Sequence, residues 1–213
     1  MSWRGVILED DRVWGAEDAT QTLVVGDPAV PPQGLPGPVM PEALMSGAGG
    51  LHLPPLGDIA AADRLALIGF FSLNEQWDGV AIVVSETAAI WATCSAREVI
   101  HAQGSATPRL AGALGVTAGP ATGFDAALDR PERLPLLLHG TEGGAALGAL
   151  LGAEIGATRT LWLGQQAVLI GHGPLAKGYA AALSAAHVPV TLTDRDALLR
   201  KGFDALAARF LPG

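Results

Sequence analysis

The sequence predicts a mixed α/β fold, and three features carry that reading. Short apolar runs of strand length alternate with stretches of helical periodicity along most of the 213 residues. Three strand-like runs follow one another directly between residues 78 and 104, a meander within an otherwise alternating pattern, so the sheet is expected to be mixed. Alanine and glycine are abundant, with 28 glycines, and such small side chains let helices lie close against a sheet.

Taken in order, WRGVILEDDRVWGA (3–16) reads as a hairpin, two apolar strands about the turn Asp10-Asp11-Arg12. DATQTLVV adds a short strand. From Asp27 to Pro55 the chain carries eight of its fifteen prolines. Proline fixes φ and removes a donor, so this stretch is expected to be a long connector, relieved only by a short helix at MPEALM (40–45). Helix resumes over 58–73 with Asp58 as its N-cap, and DGVAIVVS, AAIWATC and REVIHAQG then form three strands. Thr107 caps a helix with Pro108 in its first turn, and a further short helix breaks at Pro131. GGAALGALLGAEIGATRTLW is a small-residue helix whose composition implies tight packing. A strand, glycine turn and helix follow over 167–183, then VPVTLTD as a strand and 196–211 as the last helix, with Asp194 or Asp196 placed to cap it.

Thirteen basic against 21 acidic residues leave a net charge of −8, which argues against nucleic acid or an anionic membrane as partner. The single cysteine, Cys94, excludes an internal disulfide and reads as a small core residue. The N-terminus lacks the pattern of a signal peptide, and the longest apolar run is too short to span a bilayer and contains Glu154, so a cytoplasmic location is expected. The five histidines show no metal-ligand spacing, so no metal-binding residues are expected. The five tryptophans flank strands as core or interface anchors.

The chemistry concentrates at AVLIGHGPLAKGYAAAL. Gly171, Gly173 and Ala176 fit G-x-G-x-x-G/A, with Asp194 at about the distance of a ribose-binding acid. The same turn would serve the adenosine of ATP, or serve only to fold the chain. His172 lies inside the turn, and Lys177, one helical turn further on, is expected to face solvent. A dinucleotide domain would continue with further βα units after Asp194, yet only one helix remains.

From Gly57 onward the order of elements resembles the 2-dehydro-3-deoxygalactonokinase family, sugar-acid kinases of the actin-like ATPase (ribonuclease H-like) fold. The segments LALIGFFSLNEQWDGVAIVV, AIWATCSAREVIHAQG, FDAAL, LGALLGAEI and VLIGHGPLAKGYAAALSAAHVPVTLTD carry the resemblance. It implies residual N-terminal strands over 1–26, a connector over 27–56 and an actin-like C-terminal domain over 57–213. It implies ATP and Mg²⁺ as cofactors and a sugar acid as ligand. Gly171, His172, Gly173 and Lys177 would then lie at the nucleotide, Thr87 near phosphate, and Asp63 would be the surviving acid. The first lobe is expected to be largely missing, leaving surface for a second copy of the chain.

The chain departs from the family where phosphate is handled. The segment R-G-E-E-T-Q corresponds to residues 61–66, where one acid, Asp63, is followed by Arg64. The turn P-G-T-H-S-K-W corresponds to residues 85–91, of which only Thr87 and Trp91 remain; Glu86 replaces a glycine and Ile90 a lysine. Phosphoryl transfer depends on cations and N–H donors about a polyanion. Three readings therefore stand: a sugar-acid kinase with most catalytic motifs lost, an inactive kinase-fold module without cofactor that binds a ligand or partner, and a dinucleotide-binding subunit.

Overall fold

The computed structural model describes residues 2–211. Six strands open the chain, β1 (Trp3–Ile7), β2 (Arg12–Gly15), β3 (Gln21–Val25), β4 (Gly37–Pro38), β5 (Met45–Gly47) and β6 (Gly50–Leu53), followed by α1 (Ala61–Leu73). The meander is β7 (Gly79–Val84), β8 (Ala89–Ser95) and β9 (Glu98–Ser105). Helices α2 (Thr107–Ala113), α3 (Phe124–Asp129), α4 (Leu134–Leu138), α5 (Gly143–Ala157) and α6 (Arg159–Trp162) come next. The chain closes with β10 (Ala167–Gly171), α7 (Gly173–Ala185), β11 (Val190–Asp194) and α8 (Arg195–Phe210).

Two compact units result, and they do not follow a boundary near residue 56. Unit 1 combines residues 1–78, 94–102 and 195–213; unit 2 combines 79–93 and 103–194.

In unit 1 the N-terminal strands are no leftover hairpin. They build a five-stranded sheet of order β2-β1-β3-β6-β5. β1 pairs antiparallel with β2 and parallel with β3, and β3 runs parallel to β6. The expected connector thus contributes strands: β6 sits in the longest proline-free part of that stretch, where Leu51 and Leu53 alternate with His52. The helix expected at 40–45 does not form. α1 is buried on all sides from Ala61 to Phe71, as a helix enclosed by other elements must be. Its cap position is Ala60, without a side-chain hydrogen bond, and Asp58 lies in the turn before it. α1 crosses α8 at close range because Gly69 lies under the Leu198 carbonyl and Gly202 under that of Leu65. Phe203 of α8 fills the space over Gly5 and meets Trp3 and Trp14 at ring distances of 5.8 and 5.4 Å.

In unit 2, β10 runs parallel to both β7 and β11, with β8 beyond β7. β7 and β10 are buried along their full length, and their apolar runs meet α5 and α7 in one core around Ile82, Trp91, Leu150 and Leu169. Thr107 is the first residue of α2 and not its cap; its N–H is met by the Ser105 hydroxyl at 3.2 Å. Pro131 does break the segment after α3, through a single 3-10 turn that leads into α4. Cys94, in unit 1, is buried as expected. Among the described residues no helix is long and apolar enough to cross a membrane.

Candidate functional site

The glycine turn of unit 2 is built by steric necessity. β10 is wholly apolar and ends at Gly171, where a Cβ would stand 2.9 Å from that of Ala176. The last small residue of G-x-G-x-x-A is thus what closes the turn against the first. His172 is extended in the cap position of α7, and Gly173 follows at φ 74°, a left-handed conformation that favours glycine. Pro174 lies in the first turn, where its missing N–H goes unneeded. Gly171 pairs with Asp194 across the parallel β10–β11 ladder, so the acid stands beside the turn as its spacing suggests.

The turn after β7 forms the facing wall. Ser85 fastens it upon itself: its N–H donates to the Ala88 carbonyl at 2.9 Å, and its hydroxyl oxygen accepts the Ala88 N–H at 3.1 Å. Between the two turns is a cavity of about 460 Å³, lined by Val84, Ser85, Glu86, Thr117, His172 and Gly173 among others. The structure therefore brings His172 and Gly173 together with Glu86 at one cavity. Gly171 is buried at the base of the turn. Thr87 is exposed beside Glu86 and Lys177 is exposed on α7, and neither lines the cavity.

Asp63 belongs to unit 1 and is only 6% exposed. Its Oδ1 accepts a hydrogen bond from Nη2 of Arg195 at 2.8 Å, a pair 132 residues apart in sequence. Burial pushes the Asp63 carboxyl above its ordinary value, against the pull of Arg195. Glu9, exposed on the β1–β2 turn, is also raised, by partial desolvation first and then by the charge of Asp63. A carboxyl raised on folding contributes stability that is complete below its unfolded value near 4.5 and is lost as pH rises through the folded value. Glu9→Gln is accordingly expected to raise the melting temperature at pH 7 slightly and to leave it unchanged at pH 4. Solvent screening keeps the effect small. An equal shift at both pH values would show that the charge of Glu9 is not its cause.

The cavity wall fits a neutral ligand better than a polyphosphate. Among the described residues Glu86 is the only charged one lining it, and the other polar groups there are hydroxyls, an imidazole and backbone. Among the described residues no group of three or more His, Cys, Asp or Glu could hold a metal ion. Glu86 at the wall sets a like charge against a triphosphate.

One polar centre was not legible as such. Glu154, 7% exposed within α5, accepts hydrogen bonds from Trp91 Nε1–H at 2.6 Å, the Ser105 hydroxyl at 2.6 Å and the Tyr179 hydroxyl at 2.8 Å. Burial and the neighbouring carboxylate hold the Tyr179 phenol well above its usual value, so it stays a donor. A lone carboxylate inside an apolar small-residue helix was the available signal, because such a group must find donors.

The fold is a mixed α/β one. Over 99% of this chain and 99% of the other, the structure is similar to that of a Sinorhizobium meliloti protein to which 2-dehydro-3-deoxygalactonokinase activity has been ascribed, with a TM-score of 0.77 and 16% identity. At that identity the likeness speaks for the fold. Residues 136–206 match the model of the 2-keto-3-deoxy-galactonokinase family, a third of the chain. The matched segment contains Glu154, the glycine turn and Asp194, whereas residues 61–66 and 85–91 lie outside it. No curated protein sequence matches the chain.

Proposed function

We propose that this protein is a sugar-acid-kinase-like protein on an actin-like ATPase scaffold that binds a nucleoside at its glycine turn without transferring phosphate. One observation carries the reading: among the described residues, Glu86 is the only charged one on the wall of the cavity beside Gly173. A base and ribose find apolar surface, hydroxyls and backbone there. A phosphate meets a like charge, and two such charges about 4 Å apart repel by roughly 4 kcal/mol near a protein surface. In this reading Gly171 and Gly173 shape the turn under the adenosine, His172 faces it, and Thr87 and Lys177 are the nearest groups to a phosphate. Asp63, tied to Arg195, acts in folding and does not hold Mg²⁺.

The test is a titration with adenosine, Mg-ADP, Mg-ATP and NAD, each with and without 2-dehydro-3-deoxygalactonate, read by melting temperature and by a coupled assay of ADP release. Adenosine is expected to stabilise the protein at least as well as Mg-ATP, with no ADP release above background. Glu86→Lys is expected to tighten Mg-ATP at least tenfold, about 1.4 kcal/mol, and to leave adenosine unaffected. ADP release that saturates with the sugar acid would overturn the reading in favour of an active kinase. A response to NAD alone would favour the dinucleotide reading, which the pairing of Gly171 with Asp194 supports. No response to any of them would leave a protein-binding module.

A further inference from the structure

The hairpin between β8 and β9 turns through Ala96 at φ 52° and Arg97 at φ 67°. Two successive left-handed residues make the tight turn that ordinarily uses Asn-Gly. Holding side-chain-bearing residues there costs roughly 1–2 kcal/mol apiece. The turn is pinned: the Ala96 N–H donates to Asp78 Oδ1 at 2.8 Å, and the Arg97 carbonyl accepts the Val39 N–H at 3.0 Å. A glycine would relax position 97, so the arginine there stands against the backbone's preference. Strain of this kind accompanies a ligand-facing role when the side chain reaches a cavity.

Arg97 does reach one. Within unit 1, α1, α8 and the segment at Val39 enclose about 460 Å³, a volume in the range of small-molecule sites. Its floor is apolar, with Val39, Ile68 and Phe71 each no more than 3% exposed. Its rim carries Arg97, Arg209 and Glu75, a net charge of +1 on a chain of −8. Among the described residues neither arginine is in an ion pair; Arg209 instead lies 5.7 Å over the ring of Phe210. Guanidinium groups without a carboxylate partner above an apolar floor match an anionic headgroup on a hydrocarbon body.

We propose that this cavity binds a small amphiphilic monocarboxylate, its headgroup held by Arg97 and Arg209 and its hydrocarbon body on Ile68 and Phe71. The net rim charge of +1 selects one negative charge.

Isothermal titration of the full chain with octanoate, octan-1-ol and octylammonium tests this. Octanoate is expected to bind saturably at one site per chain, octan-1-ol at least tenfold more weakly, and octylammonium not at all. Arg97→Gly and Arg209→Ala should each weaken octanoate about tenfold and leave octan-1-ol unchanged. Arg97→Gly also relieves the left-handed strain, so its melting temperature should be equal or higher, which separates lost binding from lost folding. Octanoate binding no tighter than that of octan-1-ol, equal binding of octylammonium, or octanoate affinity indifferent to both arginines would overturn the proposal.

Discussion

Arg64→Ala is expected to lose most of the stability of unit 1, with a large fall in the urea concentration at the unfolding midpoint. Arg64 is fully buried on α1, and its guanidinium donates to the carbonyls of Val39, Pro54 and Pro38 at 2.9 Å, with Pro55 further off at 3.4 Å. The proline-rich segment has few N–H groups of its own, and the arginine supplies the missing donors from the neighbouring helix. Burial without a carboxylate partner lowers its pKa to about 10. Removing the side chain leaves two buried carbonyls unmet, those of Val39 and Pro54, each costing about 1–3 kcal/mol, and strips a donor from the part-buried carbonyl of Pro38. The total is several kcal/mol, against the 5–15 kcal/mol that holds a typical domain together. Arg64→Met separates hydrogen bonding from volume, since it fills the space without donors; it should be nearly as damaging. Arg64→Lys, a single ammonium in place of a planar fork, should fall between. A midpoint for the methionine variant within error of the parent would show that the fork is dispensable.

That arginine also marks where the sequence stops being readable. Elements whose cause is local were legible: the hairpin about Asp10-Asp11-Arg12, the meander and the glycine turn each follow from short patterns of apolar, charged and glycine residues. β6 was hidden because the prolines around it set the character of the whole stretch, although residues 42–53 contain none. Its strand conformation comes from pairing with β3, which no local signal reveals. Thr107 looked like a cap, but the residue before it occupies that position and Ser105 meets its N–H. Partners of buried charges were the least legible. Glu154 finds Trp91, Ser105 and Tyr179 at separations of 63, 49 and 25 residues, and Asp63 finds Arg195 at 132. Of the candidate site, His172 and Gly173 could be placed from their motif; that Glu86 faces them follows only from the β7–β10 pairing.

Gly148→Ala should be the most damaging small substitution in unit 2. Helix propensity alone predicts the opposite, since alanine is better than glycine inside a helix by up to about 1 kcal/mol. Sterics reverse the sign. Gly148, Gly152 and Gly156 recur every fourth residue along one side of α5, and a Cβ on them would run into the carbonyls of Thr122, Phe124 and Leu128 respectively. The obstacle is backbone, which cannot swing aside as a side chain can. Overpacking a core costs about 1–3 kcal/mol, and a loss near the upper end is expected for Gly148→Ala because the Thr122 amide nitrogen also lies 2.9 Å from the added Cβ. Gly112→Ala on α2 is the matched control: nothing lies within 4 Å of its added Cβ, so propensity should win and stability should hold or rise slightly. The pair is read by urea unfolding, and equal stability of Gly148→Ala and the parent would mean that α3 and the loop before it move freely over α5. The consequence extends to the cavity. Thr117 of that loop forms part of its wall, so a variant that lifts the segment off α5 should weaken adenosine binding together with stability.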